Sequence, residues 1–304
     1  MKHFILMAGL CLLAASCSNE SVENLVENNV EQVTAPVRVR VSDFSMSMSE
    51  IAGARALTRG AVDPASYNGV GTVTLAFYDA EGTEVVKMTQ VKGDGTYTTF
   101  GEFTANLPVG NYTMVAIARA LYDGDEFFLT SPTEAGYTSD RPRETFTKVQ
   151  NVTVTSASPL DLDVTLKRIS SWLRIVSTDG RPASAAKLRT TFGKGGKDFN
   201  PTTGLVLTNT GFSQINSPSS AVGATIEINI LPFLASADDA EEKMTVTIEA
   251  LDADDHVLAT KVVENVPFQR NCKTTMTGAV YTAGTSSAAF QIETSWGAGK
   301  SVDF

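Results

Sequence analysis

Residues 160–176 read LDLDVTLKRISSWLRIV. Leu162, Val164 and Leu166 alternate with Asp161, Asp163 and Thr165, and beyond Arg168 the alternation resumes at Trp172, Arg174 and Val176. A period of two turns one face of an extended chain toward a core and the other toward water. Asp161 and Asp163 then belong to an outward face. Ile169 and Leu173 fall out of phase, so a bulge or bend is expected near Arg168.

The same pattern extends in both directions. Val37, Val39 and Val41 alternate with Arg38 and Arg40. Strands are expected at 71–78, 83–90, 96–103, 112–119 and 146–155, separated by turn sequences such as Asp79-Ala80-Glu81-Gly82 and Gly93-Asp94-Gly95. Further short strands fall at 188–192, 204–208, 225–231 and 290–296. A hairpin of 244–251 and 256–263 is expected to close around Asp252-Ala253-Asp254-Asp255. Residues 45–63, rich in Ser, Ala, Gly and Met, read as an exposed loop, and 121–143 as an irregular connection. Beyond the first residues no stretch has a helical period. Many short strands with regular turn signals predict an all-β chain of antiparallel sheets packed as sandwiches. Two such domains in series are expected, at 35–159 and 160–304, with the break at Pro159.

The start of the chain is different in kind. Lys2 precedes an apolar run over residues 4–15, and Leu13-Ala14-Ala15-Ser16 leads into Cys17. This is a signal peptide, residues 1–16, ending at a lipobox-like cysteine. Cleavage before Cys17 leaves a thiol that carries lipid, and residues 17–34 form an acidic tether with Glu20, Glu23, Glu27 and Glu31 and no Lys or Arg. The 304 residues have a net charge of −10 and a pI near 4.8. That balance opposes nucleic acid as a partner and electrostatic adhesion to anionic lipid. Any hold on a membrane is therefore expected to rest on acyl chains at Cys17, each buried methylene contributing about 0.8 kcal/mol. Of three cysteines, Cys11 leaves with the signal and Cys17 is acylated. Cys272 is left without an intramolecular partner and reads as a core residue.

Residues for catalysis do not assemble. His256 is the one histidine beyond His3; it sits beside an acidic turn, and no Gly-x-Ser-x-Gly elbow accompanies it. Gly193-Lys194-Gly195-Gly196-Lys197 lacks the spacing of a phosphate loop. Asp252, Asp254 and Asp255 offer too few oxygens for calcium. Trp172 and Trp296 read as core between packed sheets. No enzyme, cofactor or metal is expected.

Several features in order resemble the fimbrillin-type lipoproteins of Bacteroidetes, the pilins of type V fimbriae. They are the lipobox at Cys17; a first strand at 37–44 followed by Thr58-Arg59-Gly60; the stretch 75–82, LAFYDAEG; Leu166-Lys167-Arg168 with Leu173 and Ile175; and the stretch 265–278, NVPFQRNCKTTMTG. The resemblance implies two transthyretin-like domains and a surface lipoprotein of the outer membrane, acting in fimbria assembly and adhesion. It also implies cleavage by an Arg-specific protease beyond the first strand, at Arg59 or, second, Arg55. The groove so opened takes a strand from another fimbrial subunit. Gly297-Ala298-Gly299 could hinge the end of the chain, where Val302 and Phe304 alternate, but that tail is short for a donor. This favours an accessory, anchor or tip subunit over a stalk subunit. The rival class is a glycan-binding surface lipoprotein for polysaccharide uptake, which needs exposed aromatics such as Trp172, Trp296, Tyr122 and Tyr137 grouped as a platform; a host or glycan ligand stays open.

Overall fold

The computed structural model describes residues 33–45, 65–122, 124, 126–237, 240–282 and 291–296. The signal, Cys17 and most of the tether lie outside the described residues, as do Arg55, Arg59 and the tail from Gly297. Every regular element among the described residues is a strand. The first nine are β1 (Thr34–Ser45), β2 (Thr72–Tyr78), β3 (Glu84–Val91), β4 (Glu102–Pro108), β5 (Gly110–Arg119), β6 (Phe127–Ser131), β7 (Glu134–Tyr137), β8 (Thr145–Val154) and β9 (Leu160–Arg168).

Seven of these form one sheet in the order β3-β2-β5-β8-β9-β1-β4. Strands β8 and β9 pair only at Phe146–Arg168 and Thr147–Lys167, so the sheet opens there into two leaves. The leaves close on a single core. Val73, Leu75 and Phe77 of β2, Met114 and Ala116 of β5 and Val152 of β8 meet Val37, Val39 and Val41 of β1, Phe103 and Leu107 of β4 and Val164 and Leu166 of β9. Residues 160–168, which the sequence assigns to the opening of the C-terminal half, thus complete the N-terminal sheet. The expected bend is a full break at 169–171.

The rest of the chain supplies β10 (Trp172–Ser177), β11 (Lys187–Phe192), β12 (Asp198–Phe199), β13 (Phe212–Asn216), β14 (Glu227–Ile230), β15 (Glu242–Leu251), β16 (Val257–Phe268), β17 (Cys272–Gly278) and β18 (Gln291–Trp296). Two four-stranded sheets, β14-β10-β17-β18 and β13-β11-β15-β16, contribute to a second core. It includes Leu173, Ile175, Ile228 and Met276 from one sheet and Leu188, Phe192, Val246, Ile248 and Phe268 from the other. The seven-stranded sheet and the sheet β14-β10-β17-β18 are mixed, because β1 runs parallel to β9 and β10 parallel to β17, whereas β13-β11-β15-β16 is antiparallel throughout, as expected. Parallel neighbours need long crossovers, and here more than 90 residues separate each pair in the chain. Trp172 is not core. It lies half-buried on the outer face of its sheet, its indole N–H donating to Asn229 Oδ1 at 2.9 Å and the Lys273 ammonium 5.5 Å from its ring centroid.

A third, small sheet joins sequence-distant parts. It has the order β12-β7-β6, Asp198 and Phe199 pairing with Gly136 and Ala135. It covers the outer face of β2 and β5, so that Ala76, Tyr78, Val115 and Ile117 share a core with Leu129, Tyr137, Ile169, Phe199 and Phe233. This is why β2 is buried along its whole length and reads as a nearly unbroken apolar run. Gly136 permits the contact: a Cβ there would stand 2.7 Å from Asp198 Cα and 2.9 Å from the Lys197 carbonyl. Gly136→Val is expected to destabilise the protein by about 1–3 kcal/mol by overpacking a backbone that cannot yield; a shift in the urea unfolding midpoint measures it.

The chain just after β17 is pinned by one carboxylate. Asp179 accepts the N–H groups of Val280, Tyr281 and Thr282, each at 2.8 Å, and the Thr282 hydroxyl at 2.9 Å. Burial raises the Asp179 pKa, but the hydrogen bonds outweigh it and hold the carboxyl below its ordinary range. A carboxyl depressed in the folded state contributes stability at and above its ordinary pKa, and that contribution is lost as pH falls through the lowered folded value. Asp179→Asn should therefore flatten the acid limb of a melting-temperature-versus-pH curve and leave its slope above pH ~6 unchanged.

Candidate functional site

Strand β1 alternates Ala35, Val37, Val39 and Val41 inward, 0 to 4% exposed, with Arg38 and Arg40 outward. It lies between two partners. Residues Thr34–Arg40 pair antiparallel with Pro108–Glu102 of β4, and Val37–Ser45 pair parallel with Leu160–Lys167 of β9. A shift of register at Val41–Asp43 marks the far end. On the solvent side Arg38 meets Asp161 at 3.4 Å and Arg40 meets Glu102 at 3.8 Å, all four side chains more than half exposed. Such pairs each contribute well under about 1 kcal/mol. The strand is held by its ladder and its four buried side chains.

The described residues on either side of 46–64 lie at one place. Ser45, the last residue of β1, pairs with Lys167. The chain is described again from Ala65, and Tyr67 bonds the neighbour of Lys167: the Arg168 Nη2 donates to Tyr67 Oη at 2.9 Å. Tyr67 in turn donates to Glu144 Oε1 at 2.7 Å, and Arg168 Nη2 stands 2.6 Å from the same oxygen. Arg168 Nη1 reaches Asn271 Oδ1 at 2.8 Å, across the turn between β16 and β17. The Arg168 and Glu144 side chains are only 12% and 13% exposed. Phe146 floors the group, its ring 5.0 Å from the guanidinium and edge-on to Tyr67 at 5.9 Å. Burial, aided by the Glu144 charge, pushes the Tyr67 hydroxyl far above its ordinary pKa against the pull of Arg168, so it remains a proton donor to the carboxylate. Tyr67 and Glu144 carry no signal in the sequence: each stands in a loop, and their contact spans 77 positions.

The other residues singled out in the sequence fall apart from this node. His256 is on the exposed hairpin, its Nδ1 3.0 Å from Asp252 Oδ2. Asp252 and Asp254 come together with it, but Asp252 Oδ1 already accepts the N–H of Asp254 and of His256, at 2.9 Å each. Residues 193–197 form a turn with Gly195 at φ 74°, and Lys197 pairs with Asp140 at 2.7 Å. Cys272 is buried, and burial pushes its thiol up to about 11, far from a reactive thiolate. Residues 35–298 match a family of unknown function, DUF6562.

The chain belongs to DUF6562. No curated protein matches it by sequence. Solved structures share the fold of this DUF6562 chain, among them the following three. A proposed polysaccharide-binding protein of the DUF1812 group from Bacteroides thetaiotaomicron has a TM-score of 0.52 at 13% identity, over 86% of this chain and 96% of its own. The fimbrial anchor protein Mfa2 of Porphyromonas gingivalis has 0.50 at 10%, over 86% and 98%. A proposed adhesin from Bacteroides ovatus has 0.50 at 10%, over 85% and 96%. The aromatic residues of the DUF6562 chain that could serve a sugar are placed as follows. Tyr137 is buried. Tyr122 is exposed, with the Arg143 guanidinium 4.5 Å from its ring centroid, and Trp172 has Lys273 over its ring. The Trp296 side chain lies outside the described residues.

Proposed function

We propose that this chain is a surface-exposed fimbrial subunit, held on the outer membrane by lipid on Cys17 and acting in fimbria assembly and adhesion by strand complementation. The observation that carries this reading is β1, an interior strand whose exit lies beside Lys167 while the returning chain is fastened to Arg168. A cut between the two stems, at Arg59 or Arg55, would separate β1 from the rest covalently without touching the ladder or the node. Backbone pairing with β4 and β9 then gives affinity, and the inward pockets give selectivity. The fold shared with the fimbrial anchor protein Mfa2 supports the same role. In this reading the chain forms two transthyretin-like sandwich domains in series, with the boundary moved from 159/160 to 168/169, and performs no catalysis. An accessory, anchor or tip place suits it better than a stalk place.

Mass spectrometry of the protein taken from the cell surface tests this. An acylated N-terminal Cys17 with β1 retained marks an anchor or accessory subunit, and an N-terminus at Ala56 or Gly60 marks a matured stalk subunit. An unlipidated chain cut elsewhere in the leader contradicts the reading. Glycan binding is the second reading, supported by the fold shared with the DUF1812 protein; the cations over Tyr122 and Trp172 weigh against a bare aromatic platform.

A further inference from the structure

We propose that the end of the molecule at which β1 begins is its membrane-resting face, an uncharged pole that lies against the headgroup layer of the bilayer. The inference rests on the lipid-anchor reading and adds an orientation to it. Three segments build the pole. Thr34 of β1 pairs with Pro108 of β4, and the Val109 N–H donates to the Val33 carbonyl at 3.0 Å. Gly110 pairs with Val154, and the turn after β8 returns the chain at Leu160, opposite Val37. The Tyr112 hydroxyl donates to the Pro108 carbonyl at 2.8 Å and stiffens the turn between β4 and β5. Val33 and Val109 adjoin one another and are 54% and 47% exposed. Ala157 and Pro159 are exposed on the neighbouring turn. Single exposed valines are ordinary; apolar residues gathered at one end of a domain mark a contact surface.

The charge pattern picks out the same end. Residues 33–37, 104–113 and 149–160 carry no charged side chain, although 19% of the chain is charged. At the other end of these strands stand Arg119, Arg143, Glu144, Lys167 and Arg168. Taking charged groups out of water costs far more than taking out neutral ones, so the uncharged end is the one that can rest on a bilayer. The nearest carboxylate is Asp79, which lines a shallow cavity with Asn111 and Thr153, with Glu81 two residues on. Both lie to one side of the pole, and they favour a zwitterionic headgroup over an anionic one.

The place where the chain enters fixes the occupant. Residues 17–32 lead into Val33, which is itself half of the exposed pair. From Cys17 to Val33 the chain spans at most roughly 55 Å. Lipid on Cys17 therefore confines this pole near the bilayer, and confinement lets a surface too small to bind alone engage. The exit of β1 at Ser45, at the far end of the strand, then faces away from the membrane, where a protease or another subunit can reach it.

The test couples Cys17 of the mature chain, residues 17–304, to a maleimide lipid in phosphatidylcholine vesicles, so it does not depend on acylation in the cell. Cys272 is buried and does not compete. Val109→Trp reports depth through quenching by brominated acyl chains, with the parent's fluorescence subtracted. Val222→Trp, at a site 58% exposed in the C-terminal half, is the control. Quenching of Val109→Trp should be several-fold stronger than that of Val222→Trp. Adding Val33→Asp should abolish the difference, and adding phosphatidylglycerol to the vesicles should reduce it. Equal quenching of the two variants overturns the proposal, while the mass of Cys17 from cells judges the lipid anchor separately. Equal quenching together with loss of fimbrial incorporation in Val33→Asp/Val109→Asp would overturn it in favour of a partner subunit at this pole.

Discussion

Arg168→Ala is expected to destabilise the protein by about 3–5 kcal/mol, the range for breaking a buried ion pair from one side. The alanine leaves the Glu144 carboxylate, 13% exposed, with the Tyr67 hydroxyl but no cation. It also removes the guanidinium from the Phe146 ring and from Asn271. Urea unfolding measures the loss. Glu144→Gln in the Arg168→Ala background should recover part of it, because the stranded charge is then gone. A loss below about 1 kcal/mol would place the pair with exposed surface bridges and contradict the reading of the node. A second readout is local. Tyr67 fastens the chain just after residue 64, so the variant should become cleavable by protease near residues 65–71 under conditions where the parent is not cut there.

Phe233→Ala should cost about as much, 3–5 kcal/mol, for a different reason. Phe233 is fully buried, 4.7 Å from Phe199 and stacked on Tyr137 at 6.3 Å. Its backbone also bonds Gly196 in both directions, at 3.1 and 3.2 Å. The ring fills the space between the small sheet and the outer face of β2 and β5, which cannot collapse because Gly136 already brings β7 against Asp198. Truncation should therefore leave a cavity and raise the binding of a hydrophobic dye. A change under about 1 kcal/mol would mean that the third core closes over the missing ring.

The contrast between these residues and β1 explains what could be read in advance. Strands β1, β2, β5 and β8 announce themselves because each presents alternating or unbroken apolar residues to a core. Strand β4 was displaced: Thr96 to Phe100 have the higher β propensity yet form turns, while Phe103, Ala105 and Leu107 make the strand because they pack under β1. Packing against neighbours outweighs propensity there. The β6–β7 hairpin hid inside a stretch read as irregular, since adjacent Phe127 and Phe128, then Pro132 and Gly136, spoil the period. The half-exposed β13 has little apolar pattern to show. Residues 204–208 mimic a strand but make a single bridge, Val206 to Phe199. Parallel pairing of β1 with β9 and the meeting of Tyr67, Glu144, Arg168 and Asn271 depend on contacts up to 123 positions apart, which no local pattern encodes. Of the candidate site, β1 itself was legible in the sequence; the partners that hold it and the node beside it were not.

We propose that the chain serves in fimbriae from an outer-membrane lipid anchor. Immunogold electron microscopy on cells producing it, with and without Cys17→Ala, tests this most directly. Label is expected on the cell surface at fimbriae, and for Cys17→Ala a loss of surface-held label with release into the medium. Label confined to the periplasm, or surface label indifferent to both fimbriae and Cys17, would contradict it.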